Sequence, residues 1–350
     1  MVKIPKPKIR RSKKNIDKSS ARITNDTVAE HRERVLAEGR RYKYPVQYVR
    51  RRLVINAVAI SMLTFVALVA FGWWQLYHAN NSNTFFYRVT QLVPLPVANV
   101  DGSYARFSDY LLNYRASEHY LSKYDEIRAD SDDGKLQLQY KRREALDLAL
   151  ADAYARKIAT EHNLSVDDEE VEEVLESLRS AANGQLSRET SNASSERVLG
   201  LSEADLKTLV HNSILRSKAA FAIDKSATKL ASLAEKQLAK DKDLQALAAY
   251  LNEQRKDSAG YGVSGLVSTS ATFGGLQAAE IAKLKEGAVK GPLKSITSEG
   301  YYFVQVVKKT DSQVSFAFVR IPLMTFDKQL AELKESDKIS EYITIDIDQQ

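Results

Sequence analysis

The feature that most constrains this chain is an uncharged apolar run from Leu53 to Leu76, LVINAVAISMLTFVALVAFGWWQL. A helix of this length, rising about 1.5 Å per residue, can cross a hydrocarbon layer about 30 Å thick. Trp73, Trp74 and Tyr77 close the run, and such side chains collect where a bilayer meets water. Buried core helices rarely extend so far without a charge. The run therefore predicts one membrane-spanning helix over residues 53–77.

The charges on the two sides of this run are unequal. From Met1 to Arg52 there are 17 Lys and Arg against 5 Asp and Glu, and the remainder of the chain has 34 against 40. Because basic flanks stay on the cytoplasmic side, we expect a basic cytoplasmic tail over residues 1–52 and an extracytoplasmic domain beyond the helix. A leader of this length does not fit a cleaved signal peptide. The pattern predicts an uncleaved, single-pass signal anchor in the plasma membrane.

The tail has two parts. Residues up to Ser20 are too polar to bury a core, which predicts disorder, whereas Asp26 to Arg41 is predicted to be helical, with Asn25 or Asp26 as its cap. Attraction to anionic lipids, worth about 1 kcal/mol per basic residue near the surface, is one reading of the charge. A topology determinant alone is the other, and nucleic acid is not an expected partner.

Several classes of site are not expected in this composition. The chain has no cysteine, which excludes disulfides, thiolate metal sites and a thiol nucleophile. The five histidines are scattered, without metal-ligand spacing. The glycine-rich stretch from Gly260 to Gly275 has neither a P-loop lysine nor a GxGxxG spacing. We expect no cofactor and no metal.

Beyond the anchor the pattern predicts an α+β, mostly helical fold. Residues 80–84 form a short polar linker, and Phe86 to Val100 is rich in β-forming residues but broken by two prolines, which predicts an edge or bent strand. A helix begins near Ser108. A long helix from Leu136 to His162 follows, and its apolar stripe comprises Leu146, Leu150, Tyr154 and Ile158.

Two further helices carry recognisable starts. Asp167 and Glu170 are spaced as a capping box, with Val171, Val174, Leu175 and Leu178 predicted to face inward. Ser202 and Asp205 open the next helix, and Leu201 can pack on Leu206. Between them, residues 180–196 are predicted to form an exposed loop because they are rich in Ser and Asn. The helical pattern lapses near Phe221, which suggests a domain boundary.

The last third of the chain predicts two leucine-bearing helices, a short helix, two strands and a final helix. Val314 to Ile321 is a good strand in need of a partner. We expect it to pair with the strand region Phe86 to Val100, with the helix near Leu330 packing alongside.

Two parts of the chain resemble a known family. The run from Val97 to about Phe221, with VANVDG, EALDLALADAYARKIATEHNLSVDDEEVEEVL and GLSEADLKTLVHNSILRSKAA, resembles the N-terminal chaperone domain of the SurA/PpiD folding factors. Residues from about Ser226 to Lys309 resemble a divergent parvulin-type prolyl isomerase domain. The motifs that carry this likeness are Gly262 and Gly265, Leu284 to Gly287, Gly291-Pro292-Leu293 and Gly300-Tyr301. The resemblance implies a helical domain over 85–223, a small α/β domain over 224–310, and a strand and helix over 311–350 that return to the helical domain.

The second region departs from the parvulin pattern where chemistry matters. Parvulins open with a strand carrying a His and end with Gly-Tyr-His, but this chain has no histidine after His211, and Tyr302 follows Gly300-Tyr301. The acidic residue usual in the glycine loop is replaced by Val263. Rotation about an X-Pro bond needs no proton transfer, only preferential binding of the twisted amide. The resemblance therefore implies weak or no isomerase activity, with peptide contacts from Leu266, Phe273, Leu276 and Tyr302.

The expected function is that of a membrane-anchored chaperone for exported polypeptides. Its expected partners are unfolded or newly exported chains, the export channel, and membrane lipids through the anchor and basic tail. Two alternatives stay open: an active peptidyl-prolyl isomerase, and a structural envelope protein that binds one dedicated partner.

Overall fold

The computed structural model describes residues 24–43, 46–124, 131–181, 184–256, 258–295 and 300–345. Contacts divide the chain into two compact units, Met1–Ala70 and Phe71–Gln350. The disorder predicted up to Ser20 lies outside the described residues.

The first unit contains helix α1, Asn25–Lys43, and most of helix α2, Val46–Tyr77. Within α2, Arg52–Tyr77 has a mean hydropathy of 2.5, and its most apolar 18-residue stretch is not buried by other parts of the chain. It is long and apolar enough to span a membrane. Helix α1 covers the predicted 26–41 helix, but it begins one residue earlier. Its cap position therefore falls on Thr24, whose carbonyl accepts a hydrogen bond from Thr27 Oγ1 at 2.8 Å.

The second unit begins with a largely helical part. Its elements are α3 Thr84–Leu92, β1 Pro96–Val100, β2 Ser103–Arg106, α4 Phe107–Tyr124, α5 Asp132–His162, α6 Asp168–Arg179, β3 Ser180–Ala181, β4 Gly184–Gln185, α7 Arg188–Leu199 and α8 Glu203–Ile223. Helix α5 packs against α4, α8 and the β1–β2 hairpin. The stripe predicted on α5 is fully buried there.

Both predicted capping boxes are present. Asp167 N donates to Glu170 Oε2 at 3.1 Å and Glu170 N donates to Asp167 Oδ1 at 3.0 Å, and Ser202 and Asp205 form the equivalent pair at the start of α8. On α6 the prediction that Leu178 faces inward is wrong, because this side chain is 65% exposed.

The predicted polar linker is instead a fixed turn. Leu76 is buried in the core of the helical part, and Tyr77 OH donates to Pro96 O at 2.7 Å. Asn81 donates to Gln75 at 2.9 Å and Ser82 donates to Glu118 at 2.9 Å. Because its polar groups bond to helices on both sides, the segment is held in place.

Two other predicted elements are wrong. The first half of the predicted 86–100 strand is helix α3, capped by Asn83 and packed through Tyr87 and Thr90. The predicted 180–196 loop contains helix α7, capped by Ser187 and ended by Gly200 in a left-handed conformation. In both places the caps and tertiary contacts outweigh intrinsic propensity, which is a weak determinant.

The remainder of the unit is built on a sheet. Its elements are α9 Lys225–Leu238, α10 Leu244–Gln254, β5 Gly260–Val263, β6 Val267–Ser268, β7 Thr272–Phe273, β8 Leu276–Gln277, α11 Ala278–Ala282, β9 Val289–Lys294, β10 Tyr301–Lys309, β11 Gln313–Ile321, α12 Thr325–Glu335 and β12 Ile339–Glu341. The strand order is β5-β11-β10-β9, with β6 also paired to β11. Strands β7 and β8 form a separate small hairpin.

The predicted partner of the last long strand is wrong. Strand β11 pairs with β10 and β5, so the predicted domain limit at 310/311 would cut through a sheet. A tight hairpin at 310–313 brings β10 and β11 together, and such local pairing has a low loop-closure cost. The chain end does reach the helical part by a later route: β12 pairs with β1 in antiparallel register, and Phe326 of α12 is buried in the helical core.

Candidate peptide-binding sites

The sheet has two apolar faces because successive side chains alternate. Tyr301 and Phe303 of β10 pack on one face with α9 and α10. Tyr302 and Val304 pack on the other face, which is partly covered by α11 and the β7–β8 hairpin. We call this second side the hairpin face.

Four aromatic rings lie together on the hairpin face. The Phe273 centroid is 5.4 Å from that of Phe316 and 5.3 Å from that of Phe318, and the Tyr302 and Phe318 centroids are 5.8 Å apart. Edge-to-face and tilted contacts at these separations are favourable. Phe273 and Phe318 are only half-buried, so part of the cluster is open to solvent. An apolar group of proline size can contact this open part.

The predicted site residues divide into three environments. Phe273 is half-buried at the cluster. Leu276 and Tyr302 are 5% and 2% exposed, so they support the surface from beneath and do not offer surface themselves. Leu266 is exposed on the strand margin, outside the buried cluster. Phe318 was not among the predicted contacts; its signal was the alternation of Val314, Phe316 and Phe318, which assigns all three to one face.

A second candidate surface lies in the helical part. One cavity of about 790 Å³ is bounded by α5, α6 and α8, and another of about 760 Å³ is bounded by α5 and the β1–β2 hairpin. Both are lined by Arg106, Arg156 and Thr160, so they adjoin each other. Together they form a trough beside the C-terminal half of α5, and we call it the α5 trough.

Paired charges line the α5 trough. Arg156 Nη1 donates to Asp109 Oδ2 at 2.8 Å, and Lys157 pairs with Asp101. The pKa of Asp101 is lowered by its hydrogen bond to Lys157. The whole lining holds four cations and four carboxylates, Arg106, Arg156, Lys157 and Lys207 against Asp101, Asp109, Glu161 and Asp168. Because the charges balance, the trough does not select strongly for an anionic or a cationic ligand.

Beneath the trough is a buried polar seam. Asp152 of α5 accepts a hydrogen bond from Asn212 Nδ2 at 3.2 Å and pairs with Arg216 of α8. Burial raises the pKa of the Asp152 carboxyl, and the Arg216 cation opposes that rise. The seam fixes α8 against α5 and so sets the width of the trough. Sequence reasoning missed the trough because its walls come from elements far apart in the chain.

The histidines expected of an active parvulin have no equivalent in this geometry. Where the resemblance implies an opening strand, α9 begins at Lys225, capped by Asp224. No family model, curated protein or solved structure matched this chain. The SurA/PpiD likeness therefore rests on the sequence motifs alone. Among the described residues no group of His, Cys, Asp and Glu suited to a metal ion is found.

Proposed function

We propose that this chain is a membrane-anchored, extracytoplasmic chaperone of the SurA/PpiD type that holds newly exported polypeptides. In this proposal the N-terminal tail is cytoplasmic, α2 crosses the plasma membrane, and residues 71–350 meet chains leaving the export channel. The sheet region acts as a parvulin-like module with little or no isomerase activity.

The observation that carries the proposal is the α5 trough. The combined volume of its two adjoining cavities exceeds about 1,000 Å³, the upper end of the range for small-molecule pockets, and the cavities are open along one side of a helix. An open trough with balanced charges suits an extended chain better than one compact metabolite. Tyr104, on β2, lines the trough and is 60% exposed, which gives an aromatic contact surface at its mouth.

The absence of histidine from the sheet region supports the low-activity assignment. The half-buried rings of Phe273 and Phe318 can hold a proline side chain, but the sequence has no histidine after His211. Binding without preference for the twisted amide does not lower the rotation barrier of about 20 kcal/mol.

The test uses the full chain in lipid nanodiscs with thermally unfolded citrate synthase as client. Aggregation should be suppressed by the wild type and suppressed several-fold less by Tyr104→Ser. Tyr140→Ser is the matched control, because Tyr140 is 53% exposed on α5 outside the trough. Equal loss in both variants, or no suppression by wild type, would contradict the proposal.

Two parallel measurements separate the alternatives. A protease-coupled proline-peptide assay should give a rate near the uncatalysed one; a rate near that of an active parvulin would favour the isomerase. Crosslinking that captures a single stoichiometric partner, without client binding, would favour a structural envelope protein. Protease protection of the C-terminus in intact cells would reverse the proposed topology.

A further inference from the structure

The two outer strands of the main sheet differ sharply in how they are protected. Strand β9, at one margin, carries Lys290, Pro292 and Lys294. Lysine and proline on an edge strand are the usual devices that prevent another chain from pairing with it. Strand β5, at the other margin, reads Gly-Tyr-Gly-Val, and no charged residue occurs between Gly260 and Ala279. The β5 margin lacks the protection that β9 has.

The hydrogen-bond pattern shows which groups of β5 point outward. Ser264 N donates to Phe316 O at 2.9 Å, so Ser264 occupies a bonding position toward β11. Bonding positions recur every second residue in an antiparallel pair, so the backbone N–H and C=O groups of Gly262 and Gly260 point toward β11 as well. The N–H and C=O groups of Tyr261 and Val263 therefore face away from the sheet. Within the described part of the chain, β5 pairs with β11 alone.

The side chains at this margin are apolar and accessible. Val263 is 54% exposed and Leu266 is 59% exposed. A Cβ on Gly262 would lie 2.6 Å from Phe318 Cζ, so the Phe318 ring occupies the space where a side chain of β5 would stand. Because Gly262 has no side chain, nothing on this residue separates the Phe318 ring from a strand placed alongside β5.

We propose that β5 captures an extended, uncharged segment of a client polypeptide by adding it to the sheet as a further antiparallel or parallel strand. The client backbone bonds to Tyr261 and Val263, and one of its apolar side chains contacts Phe318 beside Gly262. This inference rests on the chaperone function proposed above and names the class of segment that it binds. The uncharged margin matches an uncharged peptide and offers nothing to an ionic one.

The size of the margin argues against a second copy of this chain as the occupant. Strand β5 spans Gly260–Val263, four residues, and pairing two such short edges buries far less than the roughly 1,000 Å² expected of a specific protein interface. A short, reversible contact suits a client that must later be released.

The experiment measures fluorescence anisotropy with the full chain in lipid nanodiscs. The probe is a fluorescein-labelled peptide of alternating Val and Thr with a Lys pair at each end. Two analogues are N-methylated on alternate residues, one at the odd and one at the even positions, so that each blocks one backbone edge of the peptide. We expect at least one analogue to bind about tenfold more weakly, the loss of roughly two net backbone hydrogen bonds. This comparison uses the wild-type protein alone, and equal binding of all three peptides would overturn the proposal.

A pair of valine variants localises the contact. Val263→Lys places a charge on the β5 margin and should weaken probe binding by a similar factor. Val307→Lys is the matched control, since Val307 is also a strand valine and is 55% exposed, and its affinity should stay near that of the wild type. Equal affinities for both variants would place the contact elsewhere. If Val263→Lys instead changes only the oligomer mass in mass photometry, a second copy is the occupant and the proposal is wrong.

Aggregation suppression is measured on the same samples. If Val263→Lys loses the probe but the wild type does not suppress aggregation, the edge contact stands and the chaperone function fails. If the wild type suppresses aggregation and Val263→Lys retains the probe, the chaperone function stands and the edge contact fails.

Discussion

Asp224 joins the two parts of the second unit, and its removal should release the end of the chain. Its Oδ1 accepts from Ala227 N at 2.9 Å and so caps α9. Its Oδ2 accepts from Met324 N at 2.8 Å and from Thr325 N at 3.1 Å, where α12 begins. The residue is 1% exposed, so water cannot easily replace these bonds.

The cost of Asp224→Ala follows from those three bonds. An N-cap contributes about 1 kcal/mol, and an unsatisfied buried donor costs about 1–3 kcal/mol. All three donors lie at helix starts, where N–H groups have no intrahelical acceptor, so we expect a total loss of about 3 kcal/mol. Asp224→Asn should lose less, because its single carbonyl oxygen can keep one of the two helix starts capped.

The pH dependence has a definite sign. Hydrogen bonds from the three backbone N–H groups lower the pKa of Asp224, against the opposing effect of burial, which is the largest single influence. A carboxyl with a lowered folded-state pKa stabilises the fold above its unfolded pKa, and that contribution is lost as the pH falls through the folded value. The stability difference between wild type and Asp224→Ala should therefore be full at pH 7 and shrink below about pH 4.

Hydrogen–deuterium exchange is the sharpest assay, because it reports on each element separately. In Asp224→Ala, exchange should rise in α12 and β12 and stay unchanged in α5. Asp243→Ala is the matched control: Asp243 caps only α10, through Gln245 N at 2.8 Å and Ala246 N at 3.1 Å. Unchanged exchange in α12 of Asp224→Ala would refute the reasoning.

Three further predictions concern stability. Leu76→Ala should lower the free energy of unfolding of residues 71–350 by about 2–5 kcal/mol, because Leu76 is 1% exposed. A loss below about 1 kcal/mol in thermal unfolding would mean that Leu76 is not a core residue. Arg216→Met should destabilise the fold by about 3–5 kcal/mol at pH 7.5 by leaving Asp152 buried without its cation. The loss should shrink as the pH is lowered, because burial raises the pKa of Asp152 and removal of the Arg216 cation raises it further; a pH-independent loss would contradict this. Gly200 and Gly102 both have a positive φ, of +68° and +88°, but a Cβ on Gly200 would lie 2.8 Å from the His119 ring, whereas a Cβ on Gly102 would meet open space. Each alanine variant should lose roughly 1–2 kcal/mol of unfolding free energy from the left-handed backbone. Chemical denaturation should therefore show a larger loss for Gly200→Ala than for Gly102→Ala.

Elements fixed by local patterns were predictable from the sequence. The stripe on α5 predicted which side chains are buried there, and the pairs Asp167–Glu170 and Ser202–Asp205 predicted the starts of α6 and α8 to within a residue. The apolar run predicted a helix long enough to span a membrane. The candidate peptide-binding surfaces were harder to predict from local patterns. Of the predicted contacts, Phe273 is half-buried at an aromatic cluster, but Tyr302 and Leu276 are core residues because alternation on a covered sheet face buries both.

The failures share a physical cause, which is competition between partners that periodicity cannot rank. Strand β11 satisfies the same alternation whether it pairs with β10 or with β1. Thr310 to Gln313 decides the matter, since this short turn makes the local hairpin the less costly closure. Once β11 is used in the sheet, the free edge of β1 is left for Ile339–Glu341, whose short apolar content gave no strand signal of its own. The strand edges then differ in a definite way: β1 is covered by the chain's own end, and β9 carries lysine and proline. Within the described part of the five-stranded sheet, β5 is the outer strand with an apolar, uncharged margin, which is why the proposed client contact is assigned to it.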